Sequence, residues 1–155
     1  MKLSENFSLK EFTRSHTATR LGLDNIPNDD ELANLEHLVE NICQPSRDHY
    51  GKPARVTSGY RSPELNRVIG GSQRSQHSHG EAVDYEIPGI DNKELAIWIS
   101  ENCEYDQIIL EFYDEEEGGN SGWVHASLRR DGANRKMKLN AVKRNGKTFY
   151  ETANW

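Results

Sequence analysis

From Ser75 to Asp84 the chain reads Ser-Gln-His-Ser-His-Gly-Glu-Ala-Val-Asp, two histidines and a carboxylate arranged around a glycine. Imidazole nitrogen and carboxylate oxygen suit zinc as ligands. Gly80 lets the backbone turn, so that His77 in the loop and Asp84 on the following strand can converge. Asp84 interrupts an apolar strand, where an unpaired carboxylate is unfavourable and a bound cation would relieve it. Solvated loop histidines with a capping aspartate would account for the same residues. A third candidate lies in Trp123-Val124-His125-Ala126-Ser127-Leu128, where one histidine stands inside an apolar strand. Alone, such a histidine is ordinarily a satisfied core residue. With His77 and Asp84 it completes a His-Asp-His set that leaves a fourth position open for water, as catalytic zinc sites do. His79 is the substitute ligand if His77 is not the one.

These residues need elements to hold them. Ser8 with Glu11 has the spacing of a capping box and predicts a short helix that turns Phe7 and Phe12 inward. A loop follows through Asn25-Ile26-Pro27. Asn28 with Glu31 then caps a helix carrying Leu32, Leu35, Leu38, Val39 and Ile42 on one face, disturbed at its end by Pro45 and resuming briefly toward Tyr50. Strands are expected at 54–58, 82–87, 106–112, 123–128, 137–142 and 148–151, the last two joined by the turn signal Asn145-Gly146. Pro63 opens a short helix, and Asp91 with Glu94 caps another that carries Leu95, Ala96, Trp98 and Ile99. Helices come early and antiparallel strands late, so the class is α+β, with helices packed on a small, mainly antiparallel sheet around a zinc cleft. No repeat or linker divides residues 1–155, which read as one domain expected to act as a monomer.

Composition narrows the function classes. The formal net charge of −6 and the lack of a basic cluster interleaved with aromatics argue against nucleic acid as a partner. The basic run from Arg129 to Lys138 is broken by Asp131-Gly132 and reads as a solvated hairpin turn. No segment reaches the roughly 18–20 apolar residues of a membrane span. No apolar run near Met1 resembles an export signal, so the chain is expected to stay in the cytoplasm where it is made. Cys43 and Cys103 lack metal-site spacing and are expected to be buried thiols, although a single disulfide between them is compatible with the sequence.

Taken together, these motifs resemble the zinc D-Ala-D-Ala carboxypeptidase family, which includes phage endolysins and other murein peptidases. The family pattern S-x-H-x-x-G-x-A-x-D is met by Ser75, His77, Gly80, Ala82 and Asp84. Upstream, Ser58-Gly59-Tyr60-Arg61-Ser62 with Asn66 and Gly70-Gly71 matches the preceding segment, and Trp123-Val124-His125 matches the final ligand strand. The resemblance runs from about Phe7 to Leu128. It implies Zn2+ held by His77, Asp84 and His125, and Arg61 near the metal, binding a substrate carboxylate or a developing oxyanion. Ser75 is a weaker candidate for a hydrogen bond to substrate.

One departure bears on mechanism. Many relatives carry an acidic general base three positions before the last histidine, and here that position is Gly122. Peptide hydrolysis needs a group to shuttle the proton. Glu111, within Ile108-Ile109-Leu110-Glu111-Phe112, is the best replacement, on the expectation that its strand pairs with that of His125 and places the two opposite each other. Asp114 is second. Asp114 to Glu117 form an acidic loop, either merely solvated or rimming the cleft to attract substrate amino groups, and Trp123 is expected in the core. The expected activity is hydrolysis of a stem-peptide bond in bacterial peptidoglycan, as a D-Ala-D-Ala carboxypeptidase or an endopeptidase. An enzyme without an export signal fits an endolysin of a phage or prophage, or a virion component that reaches the cell wall after release. The alternative is a non-catalytic, zinc-stabilised wall-binding or structural module of a phage particle, which the glycine at 122 keeps open. No role is assigned to residues 129–155 beyond completing the sheet.

Overall fold

The computed structural model describes residues 1–155. A small N-terminal ribbon, β1 (Lys2–Ser4) and β2 (Phe7–Ser8), leads into α1 (Leu9–Thr13), α2 (His16–Leu21) and α3 (Asp29–Leu38). The capping boxes at Ser8/Glu11 and Asn28/Glu31 both form. The stretch expected as a loop before Asn25 contains α2, capped by Ser15 at one end and by left-handed Gly22 at the other. Its one buried residue is Ala18, so it shows no apolar periodicity from which to infer a helix.

Pro45 does not end the long helix. A wide π-helical segment, Val39–Cys43, is followed directly by α4 (Gln44–Tyr50), and the Gln44 N–H bonds back to the Val39 carbonyl. Proline has no N–H and clashes with the carbonyl four residues earlier; the wider turn accommodates both. The helix opened by Pro63 forms as α5 (Pro63–Val68).

The main sheet has six strands: β3 (Arg55–Ser58), β4 (Ala82–Glu86), β5 (Gln107–Glu111), β6 (Trp123–Ser127), β7 (Met137–Arg144) and β8 (Lys147–Thr152), in the order β3-β4-β6-β5-β7-β8. All neighbours are antiparallel except β5 and β7. That parallel pair corrects the expectation of a hairpin at 129–138. The segment crosses from β6 to the far side of β5, and it is not merely solvated. Asp106, fully buried, accepts hydrogen bonds from the Arg135 backbone (2.8 Å) and guanidinium (2.8 Å) and from Gln76 (2.9 Å), with Arg129 at 3.5 Å. The hairpin expected at Asn145-Gly146 forms, joining β7 to β8.

One face of the sheet presents Val83, Tyr85, Ile108, Leu110, Val124 and Ala126, which pack with Phe12, Leu35, Leu38 and Ile42 and with α6 (Asn92–Asn102) through Leu95, Ala96 and Ile99 into the core. By strand alternation the opposite face carries Asp84, Ile109, Glu111 and His125. The architecture is α+β, with helices on one face of the sheet and the candidate site on the other. Cys43 and Cys103 are free thiols, the former in the core and the latter partly buried, with pKa values pushed up by burial. No helix is long and apolar enough to cross a membrane.

Candidate functional site

Asp84 on β4 and His125 on β6 are direct cross-strand partners, so their side chains share a face, with His125 Nδ1 lying 2.9 Å from Asp84 Oδ1. His77 reaches them from a 3-10 turn, Gln76–His79, which Ser75 caps by accepting the His77 N–H at 3.3 Å. The turn closes on Gly80 at φ +72°, where a Cβ would stand 2.4 Å from the Glu31 carbonyl oxygen. Only glycine satisfies both the positive φ and the close approach to α3.

His77 Nδ1 lies 2.7 Å from the Gly59 carbonyl oxygen. A carbonyl only accepts, so Nδ1 carries the proton and Nε2 offers its lone pair toward Asp84 Oδ2, 3.4 Å away. This backbone acceptor is the kind of outer partner that orients a metal-ligating histidine. Strand β3 delivers it: Ser58 pairs with Asp84, and the next residues carry the Gly59 carbonyl and Arg61 to the site. Asn25 clamps that segment, donating to the Thr13 and Tyr60 carbonyls and accepting the Ser62 N–H at 2.7 Å.

One ligand atom from each of His77, Asp84 and His125 lies within 4.8 Å of the others. Tetrahedral zinc with bonds of about 2.0–2.1 Å places its ligand atoms about 3.3 Å apart; His77 Nε2 stands 3.4 Å from Asp84 Oδ2, and His125 Nδ1 hydrogen-bonds the other carboxylate oxygen at 2.9 Å, a contact that an ion would replace. The charges agree. Burial disfavours ionised Asp84, but the two histidines outweigh it and hold the carboxyl well below the usual carboxylate range. Burial pushes the His77 pKa down, which favours the neutral imidazole a ligand needs; in His125 burial acts the same way but the hydrogen bond and charge of Asp84 outweigh it and push the pKa up, so metal binding there would displace a proton.

The triad opens into a cleft of about 560 Å³ whose lining includes Arg61, Ser75, Glu111 and Tyr150. Arg61 Nε is buried without a hydrogen-bond partner, leaving a donor available to a ligand. Glu111 pairs with Trp123 on β6, while Ile109 is the residue opposite His125. Glu111 is therefore diagonal to His125 rather than across from it, although on the same face. Its carboxyl is pushed up chiefly by burial and then by Asp84, against the pull of His125, Trp123 and Arg61.

The other candidates fall elsewhere. His79 is exposed and lines a separate pocket with Glu31 and Arg67. Asp114 is exposed and caps a short turn through Glu116, and Glu115 pairs with Lys93 of α6, so the acidic loop does not rim the cleft. Trp123 is half-buried, edge-on to Phe112 at 5.4 Å. Residues 129–155 have a role beyond completing the sheet: Arg135, Leu139 and Tyr150 line the cleft. Nothing in the local pattern of those strands marks them as site residues; only the pairing of β7 with β5 brings them there.

A comparison with curated protein sequences gives no significant match. Among solved structures, a mutant of the vancomycin-resistance D,D-pentapeptidase VanY from a VanB-type resistance cassette, in complex with Zn(II), is 20% identical. The similarity covers 67% of this chain and 74% of that one, with a TM-score of 0.35. The model of the peptidase M15 family matches residues 5–127, a span that contains every residue of the His-Asp-His set. The chain belongs to the peptidase M15 family of zinc-dependent peptidases.

Proposed function

We propose that this protein hydrolyses a stem-peptide amide bond of bacterial peptidoglycan, with zinc held by His77, Asp84 and His125. The observation that carries the proposal is the convergence, in one cleft, of that donor set with a half-buried carboxyl at Glu111 and an unpartnered guanidinium N–H at Arg61. Zinc bound by these residues supplies Lewis acidity to the scissile carbonyl and acidifies water. Glu111 takes the proton from the attacking water and passes it to the departing amine; a carboxyl with a raised pKa suits a group that must both accept and donate. Arg61, charged at any working pH, holds the substrate carboxylate or the charge developing on the carbonyl oxygen. Ser75 acts through His77 by capping its turn.

Digestion of purified peptidoglycan by the zinc-loaded protein, followed by mass spectrometry, tests this. A defined new terminus that is absent with His77→Ala supports the peptidase and names its bond as a D-Ala-D-Ala terminus or an internal link. Release of fragments by a monomer added to intact walls from outside would support action as an endolysin. Zinc bound one-to-one with no release from several wall types would favour a zinc-stabilised, non-catalytic wall-binding module.

A further inference from the structure

One wall of the cleft is built by neither the metal set nor Glu111 and Arg61. Glu111 on β5 pairs with Ala141 on β7, which pairs with Tyr150 on β8. Partners across a sheet share a side, so Glu111, Ala141 and Tyr150 form one row on the cleft face, with Tyr150 two strand spacings, about 10 Å, from Glu111. The middle residue carries only a methyl group, so the row is high at both ends and low between them. In the same register Ile109 pairs with Leu139, extending a low apolar floor beside His125.

Tyr150 is 56% exposed on the edge strand of the sheet. Large exposed aromatics on a sheet edge invite pairing with other chains, and no packing requirement of the fold explains this one. Burial first, then the charges of Glu111 and Asp84, push its phenol pKa up, so the ring lies within the field of the site. Its neighbour Phe149 faces the other side, beside Arg144. Both residues lie beyond the segment matched by the family model, which ends at 127.

We infer that Tyr150 is a substrate-contacting residue. Its ring walls the slot over Ala141, and its hydroxyl hydrogen-bonds the backbone of a short extended peptide lying on Ile109 and Leu139, with the scissile amide held toward Glu111. This rests on the peptidase assignment above and adds a residue that selects and orients the peptide.

The test is steady-state hydrolysis of a soluble muropeptide pentapeptide by the zinc-loaded wild type, Tyr150→Ala, Tyr150→Phe and Phe149→Ala. Calorimetric binding of the same peptide is measured in zinc-loaded Glu111→Gln with and without Tyr150→Ala. Tyr150→Ala is expected to raise KM about tenfold with kcat changed less than about threefold, as for loss of a hydrogen bond and its packing. Tyr150→Phe should fall between, and Phe149→Ala should match wild type. An unchanged KM for Tyr150→Ala, or equal affinity of the two Glu111→Gln proteins, overturns the inference while leaving the peptidase standing. A wild type that cleaves nothing defeats the peptidase assignment itself, and peptide binding that ignores Tyr150, or no binding at all, then overturns the inference as well.

Discussion

Gly122 and Glu111 exclude each other's alternatives: a Cβ on Gly122 would lie 1.8 Å from the Glu111 carbonyl oxygen, and Gly122 itself sits at φ +64°. The position where many relatives carry their acidic base cannot bear a side chain in this backbone. Installing the acid there, as Gly122→Asp, is expected to cost about 2–4 kcal/mol through strain and backbone displacement, lowering Tm by roughly 5–15 °C. Hydrolysis should not increase. A variant of unchanged Tm would show that the turn adapts freely.

With 122 closed, proton transfer falls to Glu111 in the proposed mechanism. Glu111→Gln keeps shape and hydrogen-bonding capacity but cannot accept a proton. It is expected to lower kcat by about 10²–10⁴-fold with one zinc still bound. Metal analysis alongside turnover measurement separates loss of the base from loss of the ion. Ordinary activity would remove Glu111 from the role.

Arg61 gives a different signature. Arg61→Lys retains the charge but not the planar fork, and Arg61→Met retains the bulk alone. We expect kcat/KM to fall about tenfold for lysine and 10²-fold or more for methionine, on the scale of a lost charge-assisted contact. Equal values for the two variants would mean that charge at this position is irrelevant.

Metal removal should loosen the site without unfolding the chain. His77 is anchored to the Gly59 carbonyl through Nδ1, the nitrogen turned away from Asp84, and His125 can hydrogen-bond Asp84 once the ion is removed. Chelation is expected to leave the far-UV circular dichroism spectrum intact, and zinc at a hundred times its Kd should restore about 2.7 kcal/mol, a Tm rise of roughly 5–10 °C. Asp84→Asn should abolish most of that rise. Collapse of secondary structure on chelation would make the metal structural.

Asp106, together with Asp84, should make the fold sensitive to acid. Burial disfavours the charge of Asp106, but the hydrogen bonds and charge of Arg135 prevail and hold its pKa below the ordinary value. A depressed carboxyl contributes stability that is fully present above its unfolded pKa, about 3.9, and is lost as pH falls through the lower folded value. Urea midpoints of metal-free protein should therefore drop below about pH 4. Asp106→Asn, which removes the carboxylate acceptor of the Arg135 and Gln76 hydrogen bonds while leaving arginines that are partly solvated, is expected to cost about 1–3 kcal/mol at pH 7 and to reduce that slope. Parallel pH profiles for the two proteins would count against the assignment.

Much of the site is written in local sequence, because local chemistry builds it. The spacing from His77 through Gly80 to Asp84 sets a turn and a strand, and alternation along β6 turns His125 to the same face as Asp84. The caps at Asn28 and Ser8 were legible for the same reason. What escaped depends on partners distant in sequence. The parallel placement of β7 against β5 leaves no periodic trace, so neither the Arg135–Asp106 clamp nor the reach of Tyr150 into the cleft could be read from the residues nearby. The offset between Glu111 and His125 is likewise a matter of register, which a long, irregular β5–β6 connection does not dictate from sequence alone.

The order of strands along the chain has a further consequence. The His-Asp-His set is complete by residue 125, whereas the wall facing it arrives on a hairpin attached through the last strand pairings of the sheet. Lengthening, recolouring or exchanging that hairpin would alter which molecules fit the cleft while moving none of the three donors. On the inference drawn for Tyr150, part of the choice of target is carried by a stretch of polypeptide separable from the metal donors, and selection can revise it while holding them constant.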